Sequence, residues 1–120
     1  MPKILVVEDE RPISKVIVDN LAFEGFEAIA AFDGPSGLEM AMNDEPDLVL
    51  LDIMMPGMDG QALLRALRQD DTLAEMRVIM VSAKSYEFDR KQSLKLGADG
   101  FITKPIDRET YADLVREILN

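Results

Sequence analysis

Three runs of four apolar residues constrain the fold most: Ile4-Leu5-Val6-Val7, Leu48-Val49-Leu50-Leu51 and Val78-Ile79-Met80-Val81. Each is short, wholly apolar and bounded by polar or turn residues. Such runs read as strands buried on both faces, the condition of strands in a parallel sheet. Each run also stops on a polar residue: Glu8-Asp9, Asp52 and Ser82. After Asp52 the turn residues come at once, with Pro56, Gly57, Asp59 and Gly60.

Helical patterns fill the spaces between the runs. Arg11-Pro12 opens a helix, with Pro12 in its first turn. Ile13, Val16, Ile17 and Leu21 give it an apolar stripe, and Gly25 ends it. Phe26 to Ala31 reads as a weaker strand, poor in large residues and expected near a sheet edge. Asp33-Gly34-Pro35 is a turn and helix start, Leu38, Ala41 and Met42 the buried face of that helix, and Pro46 its stop. Leu63, Leu64 and Leu67 mark a third helix, followed by a polar connection at Asp70-Asp71.

A fourth helix is expected from about Ser85 to Leu96, with Gly97 just past its end. Its face is mixed, since Arg90, Lys91 and Gln92 separate Phe88 from Leu94. Gly100-Phe101-Ile102 is a short last strand running into Thr103-Lys104-Pro105. Asp107 reads as the N-cap of the last helix, which buries Tyr111, Leu114, Val115 and Ile118.

Strand and helix thus alternate five times over 120 residues, enough chain for one domain with a real core. This pattern predicts an α/β fold, a parallel sheet with helices on both faces and right-handed crossovers. Five strands suit the flavodoxin-like order 2-1-3-4-5, in which ligands bind outside the carboxyl ends of the strands. The first and third strands are then neighbours, so Glu8 and Asp9 come to lie beside Asp52. Ser82 and Lys104 end the next two strands on the same edge.

The chemistry of that edge follows from the residue types. Clustered carboxylates repel one another, and a hard divalent ion resolves the conflict. Mg2+ binds through a few carboxylates, keeps waters and takes phosphate oxygens as further ligands. Lys104 adds a point cation suited to a phosphoryl group, and the Ser82 hydroxyl can donate one hydrogen bond to an oxygen. The set implies attack by a carboxylate on phosphorus to give an aspartyl phosphate. Asp52, central and on its own strand end, is the best nucleophile, and Glu8 and Asp9 are better placed as metal supports.

Composition excludes competing classes. Net charge is −10, from 23 acidic and 13 basic residues. That disfavours direct binding to nucleic acid or to an anionic membrane surface. Cysteine and histidine are absent, so there is no disulfide, no thiolate or imidazole metal site and no Ser-His-Asp triad. No apolar run approaches the ~18 residues of a membrane helix, and no signal-peptide pattern opens the chain. A cytoplasmic location is expected.

Over essentially its whole length the sequence resembles the receiver domain of two-component response regulators, the chemotaxis-regulator type among them. The matching residues are Glu8-Asp9, Asp52-Ile-Met-Met-Pro-Gly-Met-Asp-Gly60, Ser82-Ala83, and Leu96-Gly-Ala-Asp99 through Lys104-Pro105. The resemblance implies a single receiver domain over residues 1–120, without an output domain in this chain. It implies that Asp52 accepts phosphate from the phosphohistidine of a sensor histidine kinase or a histidine phosphotransfer protein. Glu8, Asp9, Asp52 and the backbone carbonyl of Met54 would hold Mg2+, or Mn2+ in its place. Ser82 and Lys104 would bind the phosphoryl oxygens, and Phe101 would be the aromatic whose rotamer follows Ser82. The bond before Pro105 would be cis. Met54 and Lys84 would flank the path of the water that removes the phosphate. The signal would pass through the last two helices and last strand to a downstream protein or to an output domain.

Glu8 stands where Asp is commoner in that family, Ser82 where Thr is, and Phe101 carries no hydroxyl. Two other functions on similar folds fit less well. A haloacid-dehalogenase-type hydrolase would need a second Asp two residues after the nucleophile, where this chain has Met54. A flavin-binding electron carrier would need a Ser/Thr/Gly-rich loop after the first strand, where it has Glu8-Asp9-Glu10-Arg11.

Overall fold

The computed structural model describes residues 1–53, 60–82, 87–103 and 108–119, and for 87–89 and 108–111 the backbone alone. The strands are β1 (Lys3–Val7), β2 (Glu27–Ala31), β3 (Leu48–Asp52), β4 (Arg77–Ser82) and β5 (Gly100–Thr103). The helices are α1 (Arg11–Phe23), α2 (Gly34–Asp44), α3 (Gly60–Gln69), α4 (Glu87–Lys95) and α5 (Arg108–Leu119). All neighbouring strands pair in parallel, in the order β2-β1-β3-β4-β5. The apolar runs become the three central strands, and the weak strand β2 lies at an edge.

The two faces of the sheet feed two cores. Leu5, Val7, Val49, Leu51, Val78 and Met80 point to one side and pack with Ala41 of α2 and Leu63, Leu64 and Leu67 of α3. Ile4, Val6, Leu48, Leu50, Ile79 and Val81 point to the other and pack with Ile17 and Leu21 of α1 and Ala112 and Val115 of α5. Period-two alternation along a strand covered on both sides produces this division.

Helix ends follow local chemistry. Asp33 caps α2 by accepting from the Ser36 N–H at 2.7 Å. That backbone hydrogen bond holds the Asp33 carboxyl below its ordinary range. The cap is therefore in force above the ordinary Asp pKa and fades as pH falls through the lowered one. α4 closes with Gly97 at φ +102°, its N–H bonded to Leu94 O and that of Ala98 to Ser93 O, both at 3.0 Å. This is the Schellman arrangement that a glycine after the helix predicts.

The helix faces differ in places from the sequence expectation. Val16 is 58% exposed and Met42 51% exposed. The buried positions are Ser14, Ile17 and Leu21 in α1, and Gly34, Gly37 and Ala41 in α2. A Cβ on Gly37 would stand 3.0 Å from Val7 Cγ2, so the glycine lets α2 settle close to β1. Among the described α4 side chains the buried one is Ser93, and Leu94 is 40% exposed.

A partly buried arginine ties down the amino end of the sheet. Arg68 of α3 donates to Gly97 O from Nε and Nη2 at 3.1 and 2.7 Å, and to Met76 O from Nη1 at 2.6 Å. Its Nη2 also meets Asp99 at 3.2 Å, and Asp99 accepts from the Val78 N–H at 2.8 Å. This clamp joins the end of α3 to the start of β4 and the turn before β5, at the edge opposite the carboxyl ends of the strands.

Candidate functional site

Strand register assembles the site. Val7 pairs with Leu51, so Glu8 and Asp9 leave β1 next to Asp52 at the end of β3. The β1–β2 ladder runs on by one bond, Glu8 N–H to Ala31 O at 3.1 Å. The β3–β4 ladder does the same through Ile53 N–H to Val81 O at 2.9 Å. These extensions hold the residues flanking the carboxylates as firmly as the strands themselves. Ser82 pairs with Thr103 at the ends of β4 and β5.

Glu8, Asp9 and Asp52 each bring a carboxylate oxygen within 4.8 Å of the other two. Glu8 and Asp52 are buried, and Asp9 is half-buried at the rim. Asp52 and Glu8 also line a small pocket with Val6, Ile17, Leu50 and Val81, which places an apolar floor beneath the charges. The Glu8 carboxylate accepts from the Glu10 N–H at 3.2 Å, which folds the β1–α1 turn back on the site. Ser82, at the end of β4, is buried with 2% exposure.

The site suits a small hard cation. Two or three carboxylate oxygens within one ion's reach, with one rim residue facing solvent, fit Mg2+, which takes few protein ligands and retains water. Glu8, Asp9 and Asp52 would be its protein ligands.

After Asp52 the chain leaves at Ile53 and returns at Gly60, whose N–H donates to Ile53 O at 2.8 Å. A Cβ on Gly60 would overlap the Asp52 carbonyl oxygen and lie 2.7 Å from Ile53 Cα. In the sequence Gly60 reads as a turn residue and as the end of the matching Asp52–Gly60 stretch, and its contact with the Asp52 backbone has no signal there. Phe101, on β5, is partly buried and packs on the core shared with α2 and α3. Met54, Lys84, Lys104, Pro105 and Asp107 lie outside the described residues, as do the side chains of Phe88 and Tyr111.

Residues 4–116 match the model of the response regulator receiver domain family. Among solved structures, the Vibrio cholerae chemotaxis protein CheY4 superposes with a TM-score of 0.93 at 25% identity, covering 98% of each chain. The receiver domain of a Francisella response regulator gives 0.92 at 30% identity, over 99% of this chain and 97% of that one. The signal receiver domain of a signal transduction histidine kinase from Syntrophus aciditrophicus gives 0.90 at 33% identity, over 99% and 90%. With the doubly wound sheet and the acidic cluster at its carboxyl edge, the match over nearly the whole chain shows that this protein belongs to the response regulator receiver domain family.

Proposed function

We propose that the chain is a phosphorylation-controlled switch whose acceptor is Asp52, charged by the phosphohistidine of a sensor histidine kinase or a histidine phosphotransfer protein. One observation carries the proposal: Asp52 is the buried carboxylate at the centre of the carboxyl edge, with Glu8 and Asp9 within ion-sharing distance. An Asp52 carboxylate oxygen forms the new bond to phosphorus while the bond from phosphorus to the donor nitrogen breaks. The imidazole keeps the electron pair. A bound Mg2+ would neutralise charge on the phosphoryl oxygens. Glu8 and Asp9, with one Asp52 oxygen, would hold the ion, leaving the other Asp52 oxygen to attack. The Ser82 hydroxyl donates to a phosphoryl oxygen, and Lys104 supplies a cation to another.

Phosphorylation adds about one further negative charge and strong acceptor oxygens at Asp52. Ser82 and Lys104 then close on the phosphoryl group and Phe101 turns inward, carrying the change to α4, β5 and α5. Of the described α4 side chains only Ser93 is buried, while Arg90, Lys91 and Leu94 are exposed, a face suited to a protein partner. The 120 residues act as one receiver domain whose output lies in a downstream protein or a linked output domain.

Acetyl phosphate with Mg2+ tests the proposal directly. One phosphoryl group should add, be seen by intact mass, and be released by hydroxylamine as an acyl phosphate is. Absence of any adduct overturns the assignment. Mg2+ alone should raise stability by mass action, by about 1.4 kcal/mol at ten times its Kd. Asp9→Ala should abolish that shift in thermal melts; an unchanged shift would place the ion elsewhere.

Met54 and Lys84 set the lifetime of the phosphoryl group. Met54 cannot orient water by hydrogen bonding, and charged Lys84 cannot accept a proton. Slow decay follows, and Met54→Asn or Lys84→Glu should speed it. If neither does, shielding by these two residues does not govern decay.

A further inference from the structure

The carboxyl edge that receives a phosphoryl donor is strongly acidic. Glu8, Asp9 and Glu10 follow β1, Asp33 follows β2 and Asp52 ends β3. A phosphoryl donor is itself an anion and must approach against these charges. Among the residues whose side chains the structure describes, the cation that opens a helix at this edge is Arg11, the first residue of α1.

Arg11 is held in an unusual way. Its Cζ lies 3.9 Å from the centroid of the Phe32 ring. Phe32 follows β2 directly, and Ala31 is the register partner of Val7, so ring and guanidinium stand beside the Glu8-Asp9 turn. Carboxylates are abundant at this edge, yet among the described residues Arg11 makes no ion pair. A carboxylate partner would consume its charge and its N–H donors. An aromatic face fixes the guanidinium plane and leaves both in place. The edge of that plane can then offer paired N–H groups to an oxyanion. Arg11 is exposed and Phe32 half-buried, so the cation is at the surface while its support is anchored.

We infer that Arg11, stacked on Phe32, is the docking cation for the anionic oxygens of the incoming phosphoryl donor and so determines which donors the site accepts. This rests on the proposal that Asp52 is phosphorylated. Arg11 makes no bond to the reacting phosphorus; it raises donor occupancy at the edge and orients the donor.

The experiment measures phosphorylation rate against donor concentration by intact mass, with doubly charged acetyl phosphate and singly charged phosphoramidate. Arg11→Gln should raise the half-saturating concentration of acetyl phosphate about five- to tenfold and change the limiting rate less than twofold. The effect on phosphoramidate should be smaller, and added salt should narrow the gap between parent and variant. Phe32→Leu should give part of the same increase, because it frees the guanidinium without removing it. Arg11→Lys should fall between parent and Arg11→Gln. Lys15→Gln is the control. It removes an exposed cation on the same helix, one already paired with Asp19 at 2.7 Å, and should leave the half-saturating concentration unchanged.

Equal shifts in Arg11→Gln and Lys15→Gln would mean a general field effect and overturn the inference. So would no shift in Arg11→Gln, or a shift confined to the limiting rate. A parent chain that takes no phosphoryl group from either donor overturns both this inference and the assignment of Asp52.

Discussion

Asp52→Asn is expected to take up no phosphoryl group where the parent chain takes up one, and to melt higher than the parent in metal-free buffer. The first effect follows from chemistry. An amide oxygen is a poor nucleophile, and the neighbouring Glu8 and Asp9 follow the adjacent strand β1 rather than ending the central strand β3. Labelling should fall by at least about a hundredfold. The second effect follows from the cluster. Its three carboxylates lie within 4.8 Å of one another, two of them buried. Two unit charges at that separation repel by roughly 3 kcal/mol at an effective dielectric of about 20. Asn keeps the shape of Asp and can hydrogen-bond, so about 1–2 kcal/mol of that repulsion should return as stability. Adding Mg2+ should reverse the ranking, since the parent keeps the full ligand set. That crossing separates a charged ion site from a merely structural aspartate. An Asn variant labelled at the parent's rate would show that another residue is the acceptor. A variant less stable than the parent without metal would show that the carboxylates do not strain the fold.

The sheet was legible because burial on both faces leaves a plain mark on sequence. Ile4–Val7, Leu48–Leu51 and Val78–Val81 have no polar residue to place outward, and each stops where the chain reaches the edge. The acidic cluster was legible for the same reason, since Glu8 and Asp52 are the first polar residues after two of those runs. Helix faces were harder. A search for apolar stripes passes over Ser14 and Gly37, because neither is apolar in the usual sense. Yet both are buried, and the absence of a side chain at Gly37 is what lets α2 settle close to β1. Once they define the inward face, Val16 and Met42 are turned away from it. The Arg68 clamp and the Arg11–Phe32 stack join residues distant in sequence through backbone carbonyls or a ring face, and neither leaves a periodic signal.

Gly60→Ala should be the most damaging single-methyl change near the site. The atoms its Cβ would strike are the Asp52 carbonyl oxygen and carbon and the Ile53 Cα, all backbone, with no flexible side-chain end to swing aside. Gly60 is also tied to Ile53 by its own N–H at 2.8 Å, so it cannot simply withdraw. Overpacking against backbone of this kind costs about 3 kcal/mol. For a domain of this size that lowers Tm by about 10–15 °C. Gly25→Ala gives the contrast. Gly25 has φ +93° but nothing within 4 Å of a Cβ, so only the conformational penalty of about 1–2 kcal/mol applies. The two variants should differ in function as well as in stability. Displacing the Asp52 carbonyl moves the acceptor relative to Glu8, so Gly60→Ala should slow phosphorylation and weaken the Mg2+ shift even at temperatures where it is fully folded. Gly25→Ala should leave both unchanged, because it lies at the amino end of β2, away from the carboxyl edge. If Gly60→Ala melts within about 2 °C of the parent, or folds and phosphorylates normally, the close approach of Gly60 to Asp52 is not what fixes the acceptor.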